Sequence, residues 1–181
     1  MGKILVHEFV SLDGVMETPT WTFDFPFDPK MGQAIGAIVA GSKAILLGRT
    51  TYQEFAPAWS ARTAQDDPGA PFFNESPKYV VSSSLQSADW HNTTILGPYD
   101  PDSIRSLKDR IDGDLYVSGS GTLVRALLAD GLLDELHMFV FPIVLGSGLR
   151  LFEDGAAQSR LALTASESYD SGVVHLGYRL G

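Results

Sequence analysis

The stretch Asp114-Leu115-Tyr116-Val117-Ser118-Gly119-Ser120-Gly121-Thr122-Leu123-Val124-Arg125 joins three local patterns. Its Leu-Tyr-Val segment carries the branched and aromatic side chains of a buried strand. Gly119 and Gly121 then favour a tight turn, and Ser120 or Thr122 is placed to cap a helix. The stretch therefore predicts a strand, a glycine turn and a helix in succession.

The start of that helix is a predicted phosphate site. The free N–H groups and the partial positive charge at a helix N-terminus attract phosphate oxygens. The alternative is a turn that needs glycine for its geometry alone, because two glycines form a weak signal. Val124 stands where a dinucleotide fingerprint beginning at Gly119 requires its third glycine, so the standard Rossmann signature is excluded.

The composition narrows the classes of protein to which the chain can belong. With 181 residues, 44% of them hydrophobic, the chain is expected to form one globular domain over residues 1–181. A net charge of −9 disfavours nucleic acid as a partner, and the absence of cysteine excludes disulfides and thiol catalysis. The histidines lack metal-ligand spacing, and no apolar run is long enough to span a membrane. We therefore expect a cytoplasmic protein without a bound metal.

Two further strand ends carry residues suited to phosphate oxygens. A buried apolar run leads into Gly48-Arg49-Thr50, whose arginine can fork onto a phosphate, and Thr51 and Glu54 stand at capping-box spacing. A strand at 78–81 leads into Ser82-Ser83-Ser84, although a serine run often marks only a turn. Because parallel strands end at one edge of a sheet, three such ends predict an extended phosphorylated ligand such as a dinucleotide.

The order of these patterns predicts the fold class. Strand and helix alternate through the first two thirds of the chain, and Asp28-Pro29 and Asp100-Pro101 open two of the helices. A long loop is expected over 59–76, which lacks a clear period. Strands alone follow, with a hairpin signal at 169–172. This order predicts an α/β fold with a mixed, mainly parallel sheet flanked by helices, and with antiparallel C-terminal strands.

An aromatic segment and two acids complete the candidate site. Trp21 opens a run in which aromatic residues alternate up to Phe27. This run is either a hydrophobic plug over a sheet edge or a wall for a planar ligand. Asp13, in the turn after the first strand, and Asp24, within the aromatic run, are candidates for a polar substrate contact or a proton donor. A plain turn-forming role is the alternative for Asp13.

A series of motifs connects these features in chain order: Ser11-Leu12-Asp13-Gly14, Leu47-Gly48-Arg49-Thr50-Thr51-Tyr52, Tyr79-Val80-Val81-Ser82-Ser83, Val117-Ser118-Gly119-Ser120-Gly121-Thr122-Leu123, and Asp134-Glu135-Leu136 with Pro142-Ile143-Val144-Leu145-Gly146-Ser147-Gly148. Together they resemble the dihydrofolate reductase-like superfamily. Within it, the chain is similar to the C-terminal reductase domain of the bifunctional riboflavin-biosynthesis deaminase–reductase. The resemblance covers nearly the whole chain.

The resemblance implies a reductase that binds NADPH, with NADH not excluded, and that often assembles as a homodimer. It also implies a substrate that lies between Ser11 and the aromatic segment, with Trp21 stacking on its ring. The implied cofactor residues fall into three groups. The adenosine-side phosphates are held by Gly48, Arg49, Thr50 and Thr51, and the 2′-phosphate lies near Ser82, Ser83 and Ser84. The pyrophosphate is cradled by Gly119, Ser120, Gly121, Thr122 and Leu123.

Two departures from the family pattern bear on function. Many relatives carry an arginine just after the mid-chain strand, where this chain has Ser83 and Ser84, and this weakens selection of NADP over NAD. The sequence also lacks the zinc-binding deaminase domain. We therefore expect a reductase of a small heterocyclic or carbonyl-type substrate, resembling 5-amino-6-(5-phosphoribosylamino)uracil reductase. The alternatives are a nucleotide-binding protein without turnover and, ranked lower, a dihydrofolate reductase, which needs a carboxylate buried against its pterin.

Overall fold

The computed structural model describes residues 2–181. Eight strands form one sheet, with helices on both faces. In chain order the elements are β1 (Ile4–Ser11), a 3₁₀-helix (Pro19–Asp24), α1 (Pro29–Ala40), β2 (Ser42–Gly48), α2 (Arg49–Trp59), α3 (Ala70–Glu75), β3 (Lys78–Val81), β4 (Thr93–Gly97), α4 (Pro101–Arg110), β5 (Asp114–Ser118), α5 (Gly121–Ala129), β6 (Glu135–Phe141), β7 (Leu161–Ser168) and β8 (Val174–Leu180).

The sheet has the strand order β4-β3-β2-β5-β1-β6-β8-β7. The strands from β4 to β6 are parallel, whereas β8 runs antiparallel to β6 and β7 antiparallel to β8. The predicted fold class is therefore confirmed. The chain moves from β1 across β5 to reach β2, and from β5 across β1 to reach β6, so the winding reverses between β5 and β1. Ligands of open α/β sheets bind outside the carboxyl ends of strands at such a reversal.

The alternating side chains of the strands build a core on each face of the sheet. One core packs the strands against α4 and α5 through residues such as Leu107 and Leu127. The other packs them against α1, α2 and α3 through residues such as Ile38 and Phe73. Because each fully buried side chain of this kind contributes about 1.5–3 kcal/mol, the two cores hold the strand ends in fixed relative positions.

The sequence signals for helix starts are confirmed at two helices and wrong at a third. The Asp28 carboxylate accepts from the Lys30 N–H to cap α1, and Asp100 caps α4 in the same way. The capping box predicted for Thr51 and Glu54 does not form, because α2 begins earlier, with Gly48 at its N-cap. The end of β2 thus passes directly into α2 and leaves no residue between strand and helix.

The loop predicted over 59–76 is shorter than expected. Helix α2 runs on to Trp59, and α3 forms within the second half of the predicted loop. Trp59 stacks on Phe73 with ring centroids 4.1 Å apart. The buried ammonium group of Lys78 donates to the backbone carbonyls of Phe73, Asn74 and Ser76 and so binds the last turn of α3. These contacts between distant residues stabilise a helix that has no clear period in sequence.

Candidate functional site

The structure brings the three predicted clusters together at one edge of the sheet. They follow β3, β2 and β5, which are consecutive in the strand order. The Arg49 guanidinium donates to the Ser84 hydroxyl at 2.9 Å and so joins the cluster after β2 to the cluster after β3. The Ser120 hydroxyl accepts from the Gly48 N–H and donates to the Thr51 hydroxyl, each at 2.8 Å. It thereby joins the cluster after β2 to the cluster after β5.

Two helix N-termini, those of α2 and α5, open at this edge. The N-cap residue of α5 is Ser120, which has a left-handed backbone with φ of 68°. Its hydroxyl is directed toward β2, so Ser120 does not cap the helix. Across residues 2–181, no side chain caps the N-terminus of either α2 or α5. The first N–H groups of both helices therefore remain for an acceptor from outside the chain.

Neighbouring side chains lie close to both glycines of the turn, and the backbone favours glycine at position 119. Gly119 has φ of +65°, and a Cβ atom there would lie 3.1 Å from the Thr51 side chain. A Cβ atom at Gly121 would lie 2.6 Å from the Met16 sulfur. The positive φ thus gives Gly119 a geometric reason to be glycine. The prediction of a phosphate site now depends on the two uncapped helix ends.

The predicted cofactor residues divide into those that shape the edge and those that are exposed on it. Ser82 is buried, and its hydroxyl accepts from the N–H groups of Ser84 and Leu85. Thr51 and Leu123 are also buried, Leu123 within the core beneath α5. The side chains of these residues support the edge, while exposed side chains on it are available to a ligand, namely those of Arg49, Thr50, Ser83, Ser84 and Thr122.

Asp13 ties two loops together at the neighbouring strand ends. Its carboxylate accepts from the Ser11 hydroxyl at 2.7 Å and from the backbone N–H groups of Leu145 and Gly146. The Ser11 hydroxyl and then the two N–H groups lower the pKa of Asp13 to about 2. An ionised carboxylate cannot donate a proton, so this geometry argues against Asp13 as the proton donor. Its contact with a substrate stays a prediction.

The remaining predicted residues of the substrate side have separate surroundings. Ser11 is buried, and its hydroxyl also accepts from the Val15 N–H. Trp21 packs edge-on against Phe141, with ring centroids 5.4 Å apart. Asp24 is exposed at the end of the 3₁₀-helix, and among the described residues no hydrogen bond links it to another candidate. The structure therefore does not bring Asp24 and Asp13 together as an acid pair.

The aromatic run does not alternate as an extended segment would. Its first part lies in the 3₁₀-helix Pro19–Asp24, and Phe25 follows in an extended conformation. Trp21 and Phe25 turn inward onto Phe141, while Phe23 and Phe27 are 85% and 69% exposed. The inward pair covers the α1 face of the sheet near its carboxyl edge. The indole N–H of Trp21 is buried there and, among the described residues, has no acceptor.

Sequence reasoning missed a histidine cluster on the α1 face. His7 of β1 lies in register with His137 of β6, and the Nδ1 atom of His137 lies 3.0 Å from the Nε2 atom of His175. Burial, and then the two neighbouring histidines, lowers the pKa of His7 to about 3. Within residues 2–181, no group of three or more potential ligands is arranged to hold a metal ion. Only the strand register reveals that these distant histidines are neighbours.

Sequence reasoning also missed Glu8, which is 3% exposed in the middle of β1. Burial raises the pKa of this carboxyl to about 8, and a hydrogen bond from the Gly119 N–H partly offsets the rise. Its Oε1 atom is buried and has no hydrogen-bond partner in the described part of the chain. The signal in the sequence is an acid inside a strand of otherwise buried residues.

Comparison with known proteins identifies the family and the fold. The family model described as the RibD C-terminal domain matches residues 2–175. A Shewanella sp. PV-4 protein with a provisional riboflavin-biosynthesis name is 20% identical, with a TM-score of 0.82 and coverage of 100% of this chain and 99% of that chain. No helix within residues 2–181 is long and apolar enough to cross a membrane.

Two more distant structures share the fold. The Thermotoga maritima diaminohydroxyphosphoribosylaminopyrimidine deaminase/5-amino-6-(5-phosphoribosylamino)uracil reductase is 17% identical, with a TM-score of 0.65 over 99% of this chain and 57% of that chain. Dihydrofolate reductase from Enterococcus faecalis, solved with NADP(H), is 13% identical, with a TM-score of 0.64 over 99% of this chain and 97% of that chain. The fold is therefore dihydrofolate reductase-like.

Proposed function

The chain belongs to the RibD C-terminal domain family, and from this premise we propose that it is an NADPH-dependent reductase of a small heterocyclic or carbonyl-type substrate. The observation that carries the proposal is the pair of uncapped helix N-termini, those of α2 and α5, which Ser120 holds side by side. Such a pair provides two anion sites at a fixed separation, as a dinucleotide requires.

The residues at the edge fit the phosphates of NADPH. The N-terminal N–H groups of α5, those of Gly121, Thr122 and Leu123, would hold the pyrophosphate. The N-terminus of α2 would hold phosphate oxygens on the adenosine side. The Arg49 guanidinium, already in contact with Ser84, would bind the 2′-phosphate. Arg49 thus supplies the cation that Ser83 and Ser84 do not provide, and this supports a preference for NADPH over NADH.

The substrate would bind beside β1, next to the point between β5 and β1 where the winding of the sheet reverses. Trp21 and Phe25, packed on Phe141, provide an apolar wall that excludes water and suits a planar ring. When bound, NADPH supplies a hydride, and the chain supplies alignment and a dry pocket.

The substrate class rests on named relatives. The Thermotoga maritima protein is named as a reductase of 5-amino-6-(5-phosphoribosylamino)uracil, so a ribosylaminopyrimidine is the first substrate to test. Dihydrofolate reduction ranks lower because the buried carboxyl Glu8 lies on the α5 face, between Val6 and Val10 in the strand. The aromatic wall is on the opposite face. A pterin against that wall would not meet this carboxyl.

A binding assay and a turnover assay test the proposal in sequence. NADPH and NADH are titrated separately while nicotinamide fluorescence is followed, and saturable binding with NADPH preferred is expected. Oxidation of NADPH is then followed with ribosylaminopyrimidines, pterins and simple carbonyl compounds. Binding without turnover of any of them would favour the alternative, a nucleotide-binding protein that has lost catalysis. No binding of either dinucleotide at millimolar concentration would exclude both functions.

We also propose that the protein forms a homodimer. The support is that β7 lies at one edge of the sheet, where an edge strand presents backbone groups for pairing. Leu163 on this strand is 57% exposed. Light scattering after size-exclusion chromatography should give twice the 19.6 kDa chain mass. Leu163→Lys should shift that mass toward the monomer, and a wild-type protein of single-chain mass would contradict the proposal.

A further inference from the structure

Glu8 lies directly beneath the turn between β5 and α5. On β1 it alternates with His7 and Phe9, so its side chain points to the α5 face together with Val6 and Val10. His7 is in register with Ser118 of β5, so Glu8 lies beside Gly119, the first glycine of the turn, whose N–H lowers the pKa of the Glu8 carboxyl. A buried acid thus contacts the segment that leads into the N-terminus of α5.

No charge on the described residues compensates an ionised Glu8. Only burial raises the pKa of Glu8, and only the Gly119 N–H lowers it. From β6, the residue in register is Met138, and from β5, the buried Tyr116 phenol on the opposite face of the sheet interacts with the charge of Glu8. On α5, Arg125 forms an ion pair with Glu153 at 2.7 Å. A neutral carboxylic acid is the form that this environment favours.

One oxygen of this carboxyl is unused. The Oε1 atom is buried without a partner among residues 2–181, although a buried polar atom usually has one. The other structural feature at this point is the N-terminus of α5, which no side chain among residues 2–181 caps. The unpaired oxygen of the Glu8 carboxyl and the uncapped N–H groups of α5 are therefore found at the same turn.

We infer that Glu8 is a positioning residue whose neutral form allows an anion to bind at the Gly119–Ser120–Gly121 turn and whose ionised form excludes it. The inference rests on the proposed function, because the anion is the pyrophosphate of a dinucleotide. A neutral carboxyl accepts a hydrogen bond from one N–H of the turn and leaves the N–H groups at the start of α5 free. An ionised carboxylate repels the phosphates at short range in a low-dielectric interior and draws the same N–H groups toward itself.

The consequence is that dinucleotide binding consumes protons at alkaline pH. A bound phosphate raises the pKa of Glu8 further, so the affinity for NADPH falls as pH rises through the pKa of the free protein. For a pKa of about 8 in the free protein, the dissociation constant should rise about tenfold between pH 7 and pH 9. The 2′-phosphate has lost its second proton by pH 7 and does not contribute in this range.

The test is a titration of the full chain with NADPH at pH 7, 8 and 9, for the wild type and for Glu8→Gln. The amide keeps the size of the side chain and cannot ionise. We expect a tenfold loss of affinity for the wild type and less than a twofold loss for the variant. Lys78, whose pKa burial lowers to about 8, is present in both proteins, so its titration cannot produce a difference between them.

A second measurement needs no variant. Isothermal titration calorimetry at pH 8 in buffers of different ionisation enthalpy should show uptake of about half a proton per NADPH bound by the wild type. An equal pH slope in the wild type and Glu8→Gln, or wild-type binding without proton uptake, would overturn the inference and leave the proposed function standing. Absence of NADPH binding to the wild type at pH 7 would instead overturn the proposed function itself.

Discussion

The Ser120 hydroxyl accepts a hydrogen bond from the Gly48 backbone N–H at 2.8 Å and so fastens the turn after β5 to the end of β2. Residues 72 positions apart in sequence thereby fix the relative positions of two helix N-termini. The same hydroxyl donates to Thr51 in the first turn of α2. This one side chain therefore holds two uncapped helix N-termini together, and the proposed dinucleotide site rests on that arrangement.

We predict that Ser120→Ala weakens both the fold and the site. The substitution leaves the Gly48 N–H without its acceptor, and an unpaired, partly buried donor costs about 1–3 kcal/mol. Urea denaturation should show this loss in the free energy of unfolding, and NADPH titration should show weaker binding. Thr122→Ala, at an exposed position of the same helix, is the matched control and should change stability by less than about 0.5 kcal/mol. Equal stability of the two variants would contradict the role of Ser120.

Arg49 is predicted to select NADPH over NADH. A charge-assisted contact with phosphate is worth about 1.5–3 kcal/mol, so Arg49→Ala should weaken NADPH binding about tenfold to a hundredfold. NADH has no 2′-phosphate, and its affinity should change little. Arg110→Ala, exposed at the far end of α4, is the control for loss of one positive charge. Equal losses for NADPH and NADH would place Arg49 away from the 2′-phosphate.

His7 makes the protein sensitive to acid. Its pKa falls from about 6.5 in the unfolded chain to about 3 in the fold, because burial penalises the imidazolium and two other histidines lie close by. Below pH 6.5 the unfolded chain therefore binds a proton that the fold does not, and stability falls as pH falls. The loss should reach about 2 kcal/mol at pH 5. His7→Asn should reduce the slope of unfolding free energy against pH over this range, and an unchanged slope would assign the effect to other groups.

Lys78 is predicted to be essential for the position of α3. Its buried ammonium group donates to three carbonyls at the end of α3 and lies 4.5 Å from the centre of the Trp90 ring. Lys78→Met leaves those carbonyls without donors and should lower the free energy of unfolding by about 3 kcal/mol. Lys43→Met, at an exposed position of β2, serves as the control in chemical denaturation. A similar small effect of both substitutions would show that α3 does not depend on the ammonium group.

The features that the sequence predicted are those encoded by neighbouring residues. The strand before Gly48, the strand before Ser82 and the turn at Gly119 are local patterns, and parallel pairing is enough to bring their ends together. The order of helices and strands was therefore sufficient to predict the fold class and to predict which residues meet at one edge of the sheet.

The features that could not be predicted from the sequence depend on contacts between distant residues. His7 and His137 are neighbours because of the register of β1 and β6, which no local signal in the sequence fixes. The role of Gly121 in leaving room for Met16 depends on how one loop packs on α5. A bulky residue at Gly121 would displace Met16 and disturb the fold, so substitutions at Arg49 are the sharper probe of binding.

The most direct test of the central claim is a crystal structure of the protein grown with NADPH. We predict density for the dinucleotide along the carboxyl edge of β3, β2 and β5, with the pyrophosphate at the N-terminus of α5 and the 2′-phosphate beside Arg49. Density elsewhere would contradict it, for example in the cleft at the opposite edge that Lys3, His137 and His175 line.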